Sequence, residues 1–449
     1  MAKREISSKE LIKKLTFKGD QSMDYKFNFN PKISFNFSGE KISSNAGLLP
    51  VKEFADKLRL GKWLNEYLSP CKKHRKHSFV QCCLQKIYSI ISGHEDNCDS
   101  QILKLDPVFQ TILEKEIASQ PTLSRFENSA AICDRKNLQE LNLDLTLSTY
   151  SDKDLQEMTI DTDSMDIIAH GHQIGSGYHG YYEDNIYHPI FCFNAATGDC
   201  LKAQLRKGVT HTANKIVVFL SPVIDKLKQK NPDIHLKLRG DAGMSIPALY
   251  EYLEQEGVNY YIRLKRNPVL EKLYEDVQLE TSVKNKNISY GEFFYKADSW
   301  THSRRVIVKR EIKAELLFPL IYFVVTNDSA GDEEEIIEFY QDRGIAETYL
   351  KEGKLGFSWD RLSCHSFMAN HFRLQLAVLA YTLINLMKRL IFKNTVFCKS
   401  SINTLRWKLI KLGSVVVSHA RKIYFKFSKS YPYIDDFLRA LKAIHCLNY

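Results

Sequence analysis

Apolar positions recur at steps of three and four through the first third of the chain. Leu58, Leu60, Trp63, Leu64 and Leu68 are followed by apolar stretches over 79–91 and 102–117. Such spacing predicts helices. Gln120-Pro121-Thr122-Leu123-Ser124-Arg125-Phe126-Glu127-Asn128 predicts another, capped by Thr122 or Ser124 after the proline. Near Met158 the period changes. Thr159-Ile160-Asp161-Thr162-Asp163 reads as a strand, with further strands over 187–193, 203–205, 236–239 and 260–264. Helices over 216–230 and 247–255 lie between them. Strands alternating with helices imply an α/β sheet. Residues 266–315 read as β hairpins inserted before another core strand over 317–326, and 364–390 read as a long amphipathic helix.

These changes of period divide the chain into six parts. A polar arm over 1–46 leads into a helical module over 47–150. The α/β core spans 151–265 and 316–390, interrupted by the β-rich insertion 266–315. A basic region over 391–449 closes the chain. Ten cysteines are scattered without framework spacing, which fits reduced thiols and a cytoplasmic protein. Cys71, His74 and His77 lack an evident fourth zinc ligand. No apolar run is long enough to span a bilayer. The net charge of +10 favours an anionic partner, and the basic residues cluster, as in Lys72-Lys73-His74-Arg75-Lys76-His77. A helical module with basic connections is a plausible DNA-binding unit.

The run 338–354 contains Tyr340, Arg343, Glu347 and Lys354 at steps of three, four and seven. On one continuous helix, at about 100° per residue, these steps put all four side chains on one stripe. A carboxylate there can hold a divalent cation, and Arg343 and Lys354 can hold phosphate oxygens. Glu352 falls about 140° from Glu347 and is the poorer candidate. Ordinary i,i+4 ion pairs on a solvated helix are the competing explanation.

Two more acidic positions lie at strand ends. Asp161 and Asp163 share one face of their strand, and Asp241 follows the strand over 236–239. Ligands collect at the carboxyl ends of strands in open α/β sheets. Asp163, Asp241 and Glu347 are therefore expected to meet at one sheet edge. Three carboxylates can hold two Mg²⁺ ions about 3.5–4 Å apart. Asp-x-Asp also serves nucleotide-sugar transferases, and a lone Asp after a strand is often a turn residue.

With those residues in view, the chain resembles the cut-and-paste DDE transposases of bacterial insertion sequences. Tyr340, Arg343, Glu347 and Lys354 match their Tyr-x2-Arg-x3-Glu-x6-Lys signature. Gly93-His94-Glu95-Asp96, 120–128, 161–166, 238–243, Asp360-Arg361-Leu362-Ser363 and Ala369-Asn370-His371-Phe372-Arg373 extend the resemblance over roughly 47–440. It implies an RNase H-like core, and Asp163, Asp241 and Glu347 as catalytic metal ligands for two Mg²⁺ ions, with Mn²⁺ as a substitute. Ser164-Met165 departs from the family's usual small residue and Thr, which leaves Asp161 open as the first ligand. The implied partners are double-stranded DNA, at the element's terminal inverted repeats and at the target, and a second copy of the chain. Tyr340, Arg343 and Lys354 would contact DNA. Trp300 in the insertion would stack on a displaced base, or else pack within its hairpin. His170 and His172 are further DNA-contact candidates or plain surface histidines. A nuclease that cuts without joining, and an inactive DNA-binding descendant, are the alternatives.

Overall fold

The computed structural model describes residues 24–37, 39–68, 76–114, 116–130, 132–180 and 183–447. Cys71 and His74 lie outside them. Nine strands form one sheet: β1 (Glu157–Ser164), β2 (Ile190–Asn194), β3 (Cys200–Gln204), β4 (His235–Gly240), β5 (Asn259–Leu264), β6 (Glu280–Thr281), β7 (Ile288–Tyr295), β8 (Arg304–Glu311) and β9 (Leu320–Thr326). Their order is β6-β7-β8-β9-β5-β4-β1-β2-β3. β1, β2 and β3 form an antiparallel meander, β4 and β5 run parallel to β1, and β9 returns antiparallel to β5. β2 is buried at every position, as expected where both faces are covered.

Seven helices matter below: α1 (Phe79–Ile91), α2 (Gln120–Asn128), α3 (Ile132–Leu147), α4 (Ile216–Lys230), α5 (Glu333–Gln341), α6 (Ile345–Gly356) and α7 (Phe367–Leu390). One apolar core joins the first helical region to β2, β3, α7 and the C-terminal segment. A second lies between the opposite face of the sheet and α4. The helical region thus shares its core with α7 rather than folding around one of its own.

Several expectations are corrected. The predicted strand over 187–193 is two strands, Asp184–Tyr187 and β2, in different sheets, because Pro189 has no N–H for a ladder. Residues 266–315 begin with a helix, Pro268–Glu275, and their strands extend the main sheet through β8–β9 pairing. α2 starts at Gln120 with Ser119 as N-cap, a turn earlier than a Thr122 or Ser124 cap would give. α7 is buried nearly all round instead of amphipathic. Its polar residues have internal partners: Asn370 donates to the Cys364 carbonyl, and Gln375 to the Ala203 carbonyl. In the arm, Ile42–Ser43 pairs with the C-terminal strand Ser414–His419. Among the described residues, no helix is long and apolar enough to cross a membrane.

Most of the remaining shared motifs meet in a buried polar knot. Glu127 of α2 accepts from Asn97 at 2.8 Å, with Lys86 of α1 at 3.6 Å and Arg373 of α7 at 3.7 Å. Arg373 also donates to Ser363 at 2.6 Å, and at the surface above the knot Arg361 pairs with Glu95 at 3.0 Å. The knot ties the loop leaving α6 to the helical region. These motif residues hold the architecture that carries the site.

Candidate active site

β1 and β4 run side by side, with Asp161 opposite Arg239. Continuing that register two residues sets Asp241 beside Asp163. One cavity of about 470 Å³ is lined by Asp163, Asp241, Arg343 and Glu347, together with His179, His188 and Thr212. The three expected carboxylates therefore face a common space. Among the described residues, however, no group of three or more His, Cys, Asp or Glu side chains is gathered closely enough to hold a metal ion.

Asp163 and Asp161 have opposite environments. Asp161 is fully buried, and Arg239 grips both its oxygens at 2.6 and 2.8 Å. Arg239 also donates to the Phe339 carbonyl and lies over the Phe339 ring. With both oxygens bonded to Arg239 and no exposure, Asp161 is closed off from the cavity, whereas Asp163 lines it. Burial pushes the Asp163 carboxyl up to about 6, with the Asp241 charge adding to the rise and Arg343 opposing it. Arg343 donates to Asp163 Oδ2 at 2.9 Å and stands 3.7 Å from Glu347, whose side chain is otherwise open to solvent. Asp241 accepts from the Gly243 N–H, so it is a turn residue as well as a cavity residue.

The signature stripe is not one helix. α5 ends at Gln341, a 3₁₀ turn covers Asp342–Gly344, and α6 begins at Ile345. The kink brings Arg343 over Asp163 while half-burying Tyr340, whose hydroxyl is pushed up by burial. Lys354, in the last turn of α6, donates to the Asp166 carbonyl and carboxylate at 3.3 Å. Glu352 points elsewhere, accepting from Lys388 and from the Ile402 N–H.

α6 is seated by an aromatic plug absent from the sequence reading. Trp359 stacks on Phe191 at 4.6 Å, and Phe191 is paired with Asp163 across β1 and β2. Gly353 lies against Trp359 so closely that a Cβ would come within 2.2 Å of the indole. Glycine is therefore required there for close approach rather than for backbone conformation.

Trp300 is corrected. It is 7% exposed and packs edge-on against Tyr250 at 5.3 Å and Tyr295 at 5.2 Å, with the Arg304 guanidinium on its face. Its ring is a core element and offers no face to a base. His170 and His172 are exposed, and the His172 carbonyl accepts from His365. His179, His188 and Thr212 also line the cavity, at positions that no motif in the sequence marks. Only the break at His188-Pro189 signalled that the chain leaves one sheet for another there. His188 is bonded through Nδ1 to the Thr210 carbonyl, and burial lowers its affinity for a proton. A carbonyl can only accept, so Nδ1 carries the hydrogen.

The donor set suits a hard cation: carboxylate oxygens around an open polar cavity. Asp163 is protonated more readily than an ordinary aspartate, which is the condition a bound cation would reverse.

A model of the family described as transposase DDE domain, group 1, matches residues 25–449. No curated protein matches the chain. Among solved structures, the chain is similar to the piggyBac transposase in a cryo-EM synaptic complex with hairpin DNA. The two share 9% identity over 81% of this chain and 80% of that one, with a TM-score of 0.42.

Proposed function

Because the chain belongs to the group 1 transposase DDE domain family, we propose that it binds the terminal inverted repeats of its own insertion sequence and cuts and joins DNA there. The observation that carries the reading is the convergence of Asp163, Asp241, Arg343 and Glu347, distant in sequence, on one cavity at the strand ends. The meander followed by parallel strands supports an RNase H-like core.

Asp163, Asp241 and Glu347 would hold Mg²⁺, as two ions, with Mn²⁺ able to replace it. A divalent cation bound to such carboxylates stabilises the charge of a phosphodiester under attack and activates the attacking oxygen. Arg343 then exchanges its Asp163 contact for phosphate oxygens. Its planar fork suits either partner. Lys354 and Tyr340 contact the DNA backbone on either side. The first reaction is hydrolysis of one strand, freeing a 3′-hydroxyl at the element end. In the second, that hydroxyl attacks another phosphodiester, on the opposite strand or in target DNA; a new phosphodiester forms as the attacked linkage's own 3′-oxygen leaves and takes up a proton. The helical region over 47–150 and the basic C-terminal region grip the ends, and two copies of the chain hold both ends together. The protein would work in the cytoplasm of a bacterial cell.

Excision from a plasmid carrying the gene's own flanking ends tests this reading. Excision by the wild type that is lost in both Asp241→Asn and Glu347→Gln is expected. Excision surviving either change would remove that residue from the chemistry. Cleavage without joining by the purified protein would make it a nuclease.

A further inference from the structure

Beside the catalytic cavity lies a second one, of about 340 Å³, with no acidic residue in its lining. Arg135, Arg206, Lys207 and Lys215 bring positive charge to it, and Thr210 and Asn214 bring polar groups. Arg206 forms the wall between the two. Its Nε donates to the His188 carbonyl at 2.9 Å and its Nη1 to the Thr212 carbonyl at 2.8 Å. His188 and Thr212 line the catalytic cavity.

Arg206 is 7% exposed, and its Nη2 has no hydrogen-bond partner among the described residues. Burial lowers its guanidinium to about 10, with Asp241 the only opposing charge. Arg135 is half-buried. His371, kept neutral by burial, sits against its Nη1 at 2.6 Å, while Nε is left without a partner. Buried guanidinium N–H groups without an acceptor are costly. The buried Arg206 guanidinium and the half-buried Arg135 one border a cavity with no acidic residue in its lining, which favours an anion there. α4 starts at Lys215, its N-cap, so the positive end of its dipole adds to the field. Arg135 also borders a third cavity, of about 370 Å³, where Lys136, Lys202 and Lys226 accompany a single acid, Glu140.

We propose that the acid-free cavity receives a phosphate of the DNA strand that passes through the catalytic cavity, at a linkage flanking the scissile one. The inference rests on the transposase reading above and gives that strand a direction: past Arg206, towards Arg135. Arg206 supplies a guanidinium N–H to a phosphate oxygen, and Lys207 and Lys215, both exposed, close over it as point charges. Because Arg206 also holds the His188 and Thr212 carbonyls, a phosphate seated there is coupled to the wall of the catalytic cavity.

The test is fluorescence anisotropy with a labelled duplex of the element's end, without divalent metal, over a series of salt concentrations. The double variant Lys207→Gln/Lys215→Gln changes only exposed side chains, and Arg135→Gln is a second, independent probe. Lys313→Gln, on the hairpin side of the sheet, is the control. The double variant is expected to weaken binding roughly tenfold and to lower the slope of log affinity against log salt by about 0.9, the value for one lost phosphate contact. Arg135→Gln is expected to lower it by about as much, and the control not at all. Unchanged slopes in both probes, with the wild type binding the duplex, would overturn this inference and leave the transposase reading standing. A wild type that binds no duplex would overturn both. A parallel melting experiment with inorganic phosphate, against chloride at equal ionic strength, separates a free-anion site from a DNA site. Phosphate stabilisation lost in the variants, with unchanged DNA slopes, would make it the former and overturn the DNA assignment.

Discussion

Asp161 and Asp163 sit two residues apart on one face of β1, and each meets an arginine. The outcomes differ completely. Arg239 comes from the neighbouring strand, closes on both Asp161 oxygens and is itself walled in by Phe339. Arg343 comes from a 3₁₀ turn between two helices and touches one Asp163 oxygen at the rim of an open cavity. The inner pair is a fixed strut with all its bonds made. The outer pair is an exchangeable contact, because both partners retain unused hydrogen-bonding capacity beside solvent. Two residues along a strand, about 7 Å, separate a carboxylate locked in a buried pair from one at the rim of a cavity.

The comparison can be broken at four points. Arg239→Ala leaves Asp161 charged and buried without a partner and should cost about 3–5 kcal/mol, read from urea unfolding. A loss below about 1 kcal/mol would mean that the inner pair is no strut. The outer pair shows itself through pH. Asp163 has a folded-state value of about 6, above the ordinary 3.8. Its contribution to stability is therefore full below about pH 4 and is lost as pH rises through 6, by an amount on the order of 3 kcal/mol at most. Unfolding of wild type and Asp163→Asn between pH 4 and 7 should show that slope only in the wild type. Gly353→Ala drives a methyl into Trp359 and shifts α6, carrying Glu347 and the adjoining Arg343 away from Asp163. About 1–3 kcal/mol of stability should go, and DNA cleavage with it. Cleavage kept at the wild-type rate would show that the seat of α6 does not set the site. The smallest effect concerns the metal. EDTA should abolish cleavage, and apparent Mn²⁺ affinity by titration calorimetry should fall about tenfold per pH unit below 6, as protons compete for Asp163. An affinity flat from pH 7 to 5 would remove Asp163 from the ligand set.

Much of this was legible in the sequence, and unevenly so. α4 and Pro247–Gln255 fall where helical spacing puts them, and the acidic positions do converge on one cavity. What was not legible depends on tertiary partners. Period alone does not distinguish a strand that a proline divides between two sheets from a continuous one. A helix buried on all sides, like α7, carries polar residues whose partners lie far away in sequence, so it imitates an amphipathic one. The choice between Asp161 and Asp163 turns on Arg239, 78 residues from Asp161 in the chain. Trp300 looks like a stacking residue in a hairpin until Tyr250 and Arg304 are seen to enclose it. Trp359 and Gly353 gave no sign, since an aromatic seat for a helix leaves no periodic mark.

The most direct test of the central claim is strand cleavage of element-end DNA by purified Asp163→Asn and Asp161→Asn, with Mg²⁺, scored for new 3′-hydroxyl ends alongside the thermal stability of each protein. The account predicts that Asp163→Asn stays folded and makes no cuts, whereas Asp161→Asn melts earlier and still cuts at temperatures where it is folded. Cutting by folded Asp163→Asn, together with none by folded Asp161→Asn, would exchange the roles of the two carboxylates and contradict it.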